Sequence, residues 1–158
     1  MRVTDSARWC FNQYFAELNW RFEGSFDPGL SISAGPQELT LPMGFLLLAR
    51  LTAGLLVAEH SSFIPRRPAE LKGMWIAPAA RGLGIGRRLL SELEGTAREV
   101  AVVVLRLETN RALSEAIVLY KRSGYFEFKA FNDEPTPTIG SKKRLGRKRK
   151  VGECSNRD

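Results

Sequence analysis

Near the middle of the chain stands a glycine run flanked by arginines, Arg81-Gly82-Leu83-Gly84-Ile85-Gly86-Arg87-Arg88. Its chemistry would be anion binding. Amides that open a helix have no partners within it, the helix dipole adds partial positive charge there, and diphosphates are common occupants of such ends. Glycines let the backbone come close to phosphate oxygens, and Arg81, Arg87 and Arg88 add fixed charge. A nucleotide-hydrolysing phosphate loop needs Lys and then Ser or Thr after its last glycine, but Arg87-Arg88 stand there. A dinucleotide loop needs Gly-x-Gly-x-x-Gly, and Gly82-x-Gly84-x-Gly86 has the wrong last step. On glycine spacing alone two readings stay open: a phosphate cradle, or a flexible turn closing a strand–helix unit.

Such a loop needs a strand before it and a helix after it, and the flanking sequence supplies both. Ala69–Ile76 reads as a strand, and Leu89, Leu90, Leu93 and Ala97 place one apolar face on a helix running to about Val100. Ala101–Glu108 is β-branched and apolar, as a central strand should be. Leu113–Ser123 reads as a second helix with Gly124 as its C-terminal glycine, and Tyr125–Phe131 as a strand. Upstream, Ser6–Phe22 has helical spacing, with Trp9, Phe11, Phe15, Leu18 and Phe22 as its apolar residues. Glu23–Pro42 reads as a loop. Met43–Leu51 and a partner starting at Leu55–Ala58 form a hairpin around Thr52-Ala53-Gly54, and Arg66-Arg67-Pro68 marks another turn. The expected fold is an α/β domain with a mixed sheet and a right-handed crossover between Ala69–Ile76 and Ala101–Glu108.

These segments together resemble the GNAT acetyltransferases. Arg81–Gly86 fits that family's coenzyme A loop, Arg/Gln-x-x-Gly-x-Gly/Ala. Ala69–Pro78 is similar to its fourth strand. Leu107-Glu108-Thr109-Asn110, Ala116–Tyr120 and Ser123-Gly124-Tyr125 are similar to its fifth strand, the helix after it and the following corner. The likeness is good from about Ala69 to Pro135, and is nearest to acetyltransferase domains fused behind MarR-type repressors. The resemblance implies a GNAT (acyl-CoA N-acyltransferase) fold, a mostly antiparallel twisted sheet flanked by helices. It implies acetyl-CoA as cosubstrate, no metal, and a primary amine of a small molecule or peptide as acceptor.

It also implies roles. Backbone groups of Met74, Trp75 and Ile76 would lie along the pantetheine arm, with Gly73 at a bulge that splays the fourth and fifth strands. Arg81, Gly82, Leu83, Gly84, Ile85, Gly86 and Arg87 would hold the diphosphate. Tyr120 would meet the departing thiolate as acid, or be a core aromatic at helical spacing. Glu70 would be the base that frees the amine, or a salt-bridged strand residue, with Glu108 as its rival. Asn110 would contact coenzyme A or cap the turn after its strand. Family members often pair through their last strands, and the sequence leaves monomer and homodimer both open.

The likeness breaks in two places. Where relatives carry Gly-Ala-Leu-Lys, this chain has Glu59-His60-Ser61-Ser62. Where they continue Tyr-Ala-His-His-Trp-Phe-Glu-Lys, it has Thr136–Lys142. One-base shifts of reading frame would produce both. The expected consequences are damage to one strand and replacement of the last strand by a disordered basic tail at 136–158, leaving 1–135 as the domain. A coenzyme A-binding protein with impaired turnover is therefore the second reading.

Charge supports that division. Residues 141–158 carry eight Lys and Arg against two Asp and Glu, which leaves 16 against 15 in residues 1–140. The basic tail raises a third reading, nucleic-acid binding, but no aromatic residue interleaves it and the body is nearly neutral. Cys10 and Cys154 form no metal-ligand spacing and no disulfide framework, and His60 has no metal partners nearby. No apolar run is long enough for a bilayer and no signal core opens the chain, so the expected location is cytoplasmic.

Overall fold

The computed structural model describes residues 5–22, 44–51, 54–62, 68–130 and 138–146, with the backbone alone at 44–62. The expected loop at Glu23–Pro42, the turn residues Thr52-Ala53 and Arg66-Arg67, and the chain from 147 onward lie outside the described residues. The elements are α1 (Asp5–Arg21), β1 (Gly44–Leu51), β2 (Gly54–Ser62), β3 (Ala69–Leu71), a 3-10 turn (Pro78–Ala80), α2 (Ile85–Glu99), β4 (Val104–Asn110), α3 (Ser114–Arg122), β5 (Phe126–Phe128) and β6 (Thr138–Arg144). They form one six-stranded sheet in the order β1-β2-β3-β4-β6-β5. Among the described residues, only β3 and β4 pair in parallel, joined through α2; the other four pairs are antiparallel.

The main core lies between the sheet and α2 and α3. Ala69, Leu71, Leu105 and Leu107 from β3 and β4 meet Leu90, Leu93 and Ala97 of α2 and Tyr120 of α3. Each leucine so buried contributes roughly 1.5–3 kcal/mol. Alternation along β3 and β4 turns Glu70, Arg106 and Glu108 to the other side of the sheet. A second, smaller cluster joins Cys10 and Tyr14 of α1 to Trp75 and Ala77.

Four expectations change. The strand at Ala69–Ile76 ends at Leu71, because Gly73 adopts φ 55 and breaks the ladder; Trp75 makes only an isolated bridge. The strand expected from Ala101 starts at Val104. Residues 101 and 102 instead close α2, with the Ala101 amide donating to Arg98 O and the Val102 amide to Ala97 O. On α1 the inward residues are Cys10 and Leu18, both buried, with Tyr14 half-buried between them, while Trp9 and Trp20 are exposed.

The fourth change concerns the two divergent segments. Glu59–Ser62 completes β2, where Ser61 pairs with Leu71 and Ser62 with Glu70. Thr138–Arg144, read from sequence as tail, is β6, paired along its whole length with β4 and with β5 at Phe126–Phe128. Its small middle residues suit the place: Gly140 and Ser141 are buried, and Lys143 Nζ reaches the buried Glu94 carboxylate of α2 at 2.9 Å. Arg98 supports the same carboxylate from one helical turn away. The cations of this stretch are thus partly spent inside the domain. Among the described residues, no helix is long and apolar enough to cross a membrane.

Candidate active site

Where β3 leaves its ladder, a cleft of about 140 Å³ opens. Met74, Trp75 and Ile76 form its floor, α1 supplies Tyr14, Glu17, Leu18 and Arg21, and α3 with its lead-in supplies Leu113, Glu115, Ala116 and Leu119; Arg81 closes one end. β4 runs on through Glu108, Thr109 and Asn110 after its last ladder pair with β3, Leu71 with Leu107. The cleft is therefore sited where the two parallel strands cease to be stitched together.

The glycine loop adjoins it. Gly82 and Gly84 have φ 77 and φ 74, a conformation that suits glycine. Gly84 caps α2 with no side-chain hydrogen bond, and the first helical bond runs from the Arg88 amide to Gly84 O at 3.1 Å. The amides of Ile85, Gly86 and Arg87 thus precede the helix's own bonding pattern. Gly86 is tightly packed: a Cβ there would meet Leu119 Cδ2 at 3.2 Å and Ile76 Cγ1 at 3.8 Å. The start of α2 is seated directly on the floor and the far wall of the cleft. Leu83, Arg87 and Arg88 are exposed.

A single carboxylate organises the near wall. Glu17 Oε2 accepts from Trp75 Nε1 at 2.7 Å and from Arg81 Nη2 at 2.5 Å, and Oε1 accepts from Arg21 Nε at 2.9 Å. Burial alone would raise the Glu17 carboxyl. The hydrogen bonds from Arg81 and Trp75, with the charges of Arg81 and Arg21, outweigh it and hold the group below its ordinary value. Arg21 also pairs with Glu115 of α3 at 2.5 Å, and that hydrogen bond lowers the Glu115 carboxyl and raises the Arg21 guanidinium. Four ionised groups thus cross the cleft as two cations and two anions.

Residues 47–127, just over half of the chain, match the family model of the acetyltransferase (GNAT) domain. The chain belongs to the GNAT acetyltransferases. An IAA acetyltransferase of Azospirillum brasilense is 43% identical over 56 residues, 35% of this chain and 37% of that protein, so the match spans little more than a third of the relative's length. A solved structure from Klebsiella pneumoniae, described as an acyl-CoA N-acyltransferase, superposes at a TM-score of 0.66 with 28% identity, over 86% of this chain and 90% of that one. A GNAT-family acetyltransferase from Staphylococcus aureus superposes at 0.74 with 18% identity, over 92% and 98%, a likeness of fold.

The residues present fit the acyl-CoA that this fold uses: a helix start without a side-chain cap, a glycine at Gly86 that seats it closely on Leu119 and Ile76, and a cleft lined by Met74–Ile76. Of the site residues expected from the sequence of this GNAT domain, Met74, Trp75, Ile76 and Arg81 line the cleft; of Gly82–Arg87, which do not line it, Gly86 packs against its Leu119 and Ile76. The Arg81 side chain turns away from the loop, toward Glu17 and the Ile76 carbonyl, which accepts from its Nε at 2.9 Å. Asn110 takes the capping role: its Oδ1 accepts from the Ala112 amide at 2.8 Å and its carbonyl from Leu113 at 3.0 Å.

Glu70 and Tyr120 stand apart from the cleft and from each other. Glu70 is on the sheet face opposite α2, in ion pairs with Lys72 and Arg106 at 3.8 Å each. Tyr120 is buried in the main core, edge-on to Tyr125 with ring centroids 5.7 Å apart. Tyr125 is pushed far above the usual phenol range by burial first and then by the Glu94 charge. Glu17, Arg21 and Glu115 went unmarked by sequence reasoning. The one signal was a Glu-to-Arg step of four on a helix, which has the same form on a solvated face as in a site. Among the described residues, no group of three or more His, Cys, Asp or Glu could hold a metal ion.

Proposed function

We propose that this protein transfers an acetyl group from acetyl-CoA to a primary amine of a small molecule or peptide. The observation that carries this reading is the uncapped start of α2, seated through Gly86 on a cleft that opens where β3 leaves β4. Acetyl-CoA, when bound, supplies the activated acyl thioester. The amides of Ile85, Gly86 and Arg87 would donate to its diphosphate, helped by the dipole of α2. The backbone of Met74–Ile76 would orient the arm, with Leu113, Ala116 and Leu119 excluding water from it. Glu70, which does not line the cleft, would take a proton through water from the acceptor ammonium, the freed amine would attack the thioester carbonyl, and Tyr120 would give a proton to the leaving sulfur.

A second reading, coenzyme A binding without turnover, is favoured by one observation: neither Glu70 nor Tyr120 lines the cleft. One experiment separates the two. Isothermal titration with acetyl-CoA should give saturable binding that Gly84→Asp abolishes, because the substitution puts both a strained side chain and a negative charge at the helix start. Free thiol release should then appear with at least one member of an amine panel. Binding without release across the panel selects the second reading. Wild-type protein that fails to bind at millimolar acetyl-CoA ends both.

A further inference from the structure

The loop between Arg81 and Ile85 has almost nothing of its own to hold it. A Cβ at Gly82 or at Gly84 would meet no atom within 4 Å, and Leu83 is exposed. Its orientation must come from its two ends. The α2 end is seated by Gly86 against Leu119 and Ile76. The other end is Arg81, in extended backbone after the 3-10 turn, with its amide donating to Pro78 O at 3.2 Å. That turn alone does not fix where Arg81 points in the molecule.

We propose that Glu17 of α1 is a positioning residue for the glycine loop, acting through Arg81; the inference rests on reading that loop as the acyl-CoA cradle. One oxygen, Glu17 Oε2, accepts from both Trp75 Nε1 and Arg81 Nη2. Arg81 Nε meanwhile donates to Ile76 O. The excursion from 75 to 81 is thereby closed on itself at both ends and tied to α1. Glu17 Oε1 accepts from Arg21, which pairs with Glu115 on the opposite wall, so α1 is braced against α3 as well. The Glu17 side chain is four-fifths buried, with 19% relative exposure, where charge-assisted hydrogen bonds are strong and directional. The guanidinium of Arg81 therefore serves the loop from behind, as an anchor, while the backbone amides ahead of it face the ligand.

Two measurements test this, one without ligand. Hydrogen exchange in the unliganded protein should show the amides of Ala80, Arg81 and Arg88 exchanging about tenfold faster in Glu17→Ala, with β4 amides unchanged. Steady-state assays should show KM for acetyl-CoA raised about tenfold with kcat within about twofold. The double variant Glu17→Ala/Arg81→Ala should match Arg81→Ala alone, because one acts through the other. Glu17→Gln, which keeps the side-chain shape, should recover part of the protection and serves if the alanine variant does not fold. Unchanged exchange in both variants, or effects that multiply in the double variant, overturns the proposal. If wild-type protein does not bind acetyl-CoA, the functional reading fails while the exchange measurement still decides the positioning role.

Discussion

The hydroxyl of Tyr120 and the ring that bears it can be separated by mutation. The ring is packed on Tyr125 in the core, so Tyr120→Phe keeps the packing and removes one oxygen. If the hydroxyl protonates the leaving sulfur, kcat falls about a hundredfold with acetyl-CoA affinity retained; an unchanged kcat in thiol-release assays leaves Tyr120 as a core aromatic. Glu17 allows a second test by pH. Its carboxyl is held below the ordinary 4.5 by its donors in the folded protein. A depressed carboxyl adds stability that is complete above the unfolded-state value and is lost as the pH falls through the folded-state value. The fall in Tm from about pH 5 to about pH 3 should therefore be smaller in Glu17→Gln than in wild type. At this scale the sequence marked the glycines of the loop, where Gly82 and Gly84 take positive φ. It could not mark Glu17, because only the fold brings Trp75 and Arg81 to a helix some sixty residues earlier.

At the scale of elements, α2 and α3 end in the same way. In α3 the Gly124 amide donates to Lys121 O and the Tyr125 amide to Tyr120 O, with Gly124 at φ 87. In α2 the same closure falls on Ala101 at φ 62, where an alanine methyl crowds the backbone. Ala101→Gly should relieve that strain. After the added freedom of glycine in the unfolded chain, a net gain of about 0.5–1 kcal/mol is expected, read as a higher urea midpoint at constant m. The same feature shows why element ends were poorly legible. Ala101 reads as the first residue of a β-branched strand, yet the carbonyls left over at the end of α2 claim residues 101 and 102 first. Gly73 similarly cuts β3 short where the sequence reading carried the strand on to Ile76, and that interruption adjoins the cleft.

For the whole molecule, the decisive element is β6. It lies between β4 and β5, pairs with both, and brings Lys143 to a carboxylate of α2 that Arg98 also supports. Deleting 136–158 would leave β5 without a pairing partner, β4 paired on the β3 side alone, and Glu94 buried without its main counter-charge, a large penalty for a marginally stable domain. The truncated protein should lose its cooperative thermal transition by circular dichroism; a disordered tail could be removed with no such effect.

The sequence by itself determined that a strand, a glycine turn and an amphipathic helix follow one another at 69–100, since glycine placement and apolar period are local properties. It also held the order of later elements that marks the family. Only the tertiary structure decided that a lysine-rich stretch becomes an inner strand, that Arg81 turns to α1, and that one helix carboxylate joins the walls of the cleft. Those outcomes depend on which distant groups are left needing a partner once the sheet has formed, and no local pattern records that need.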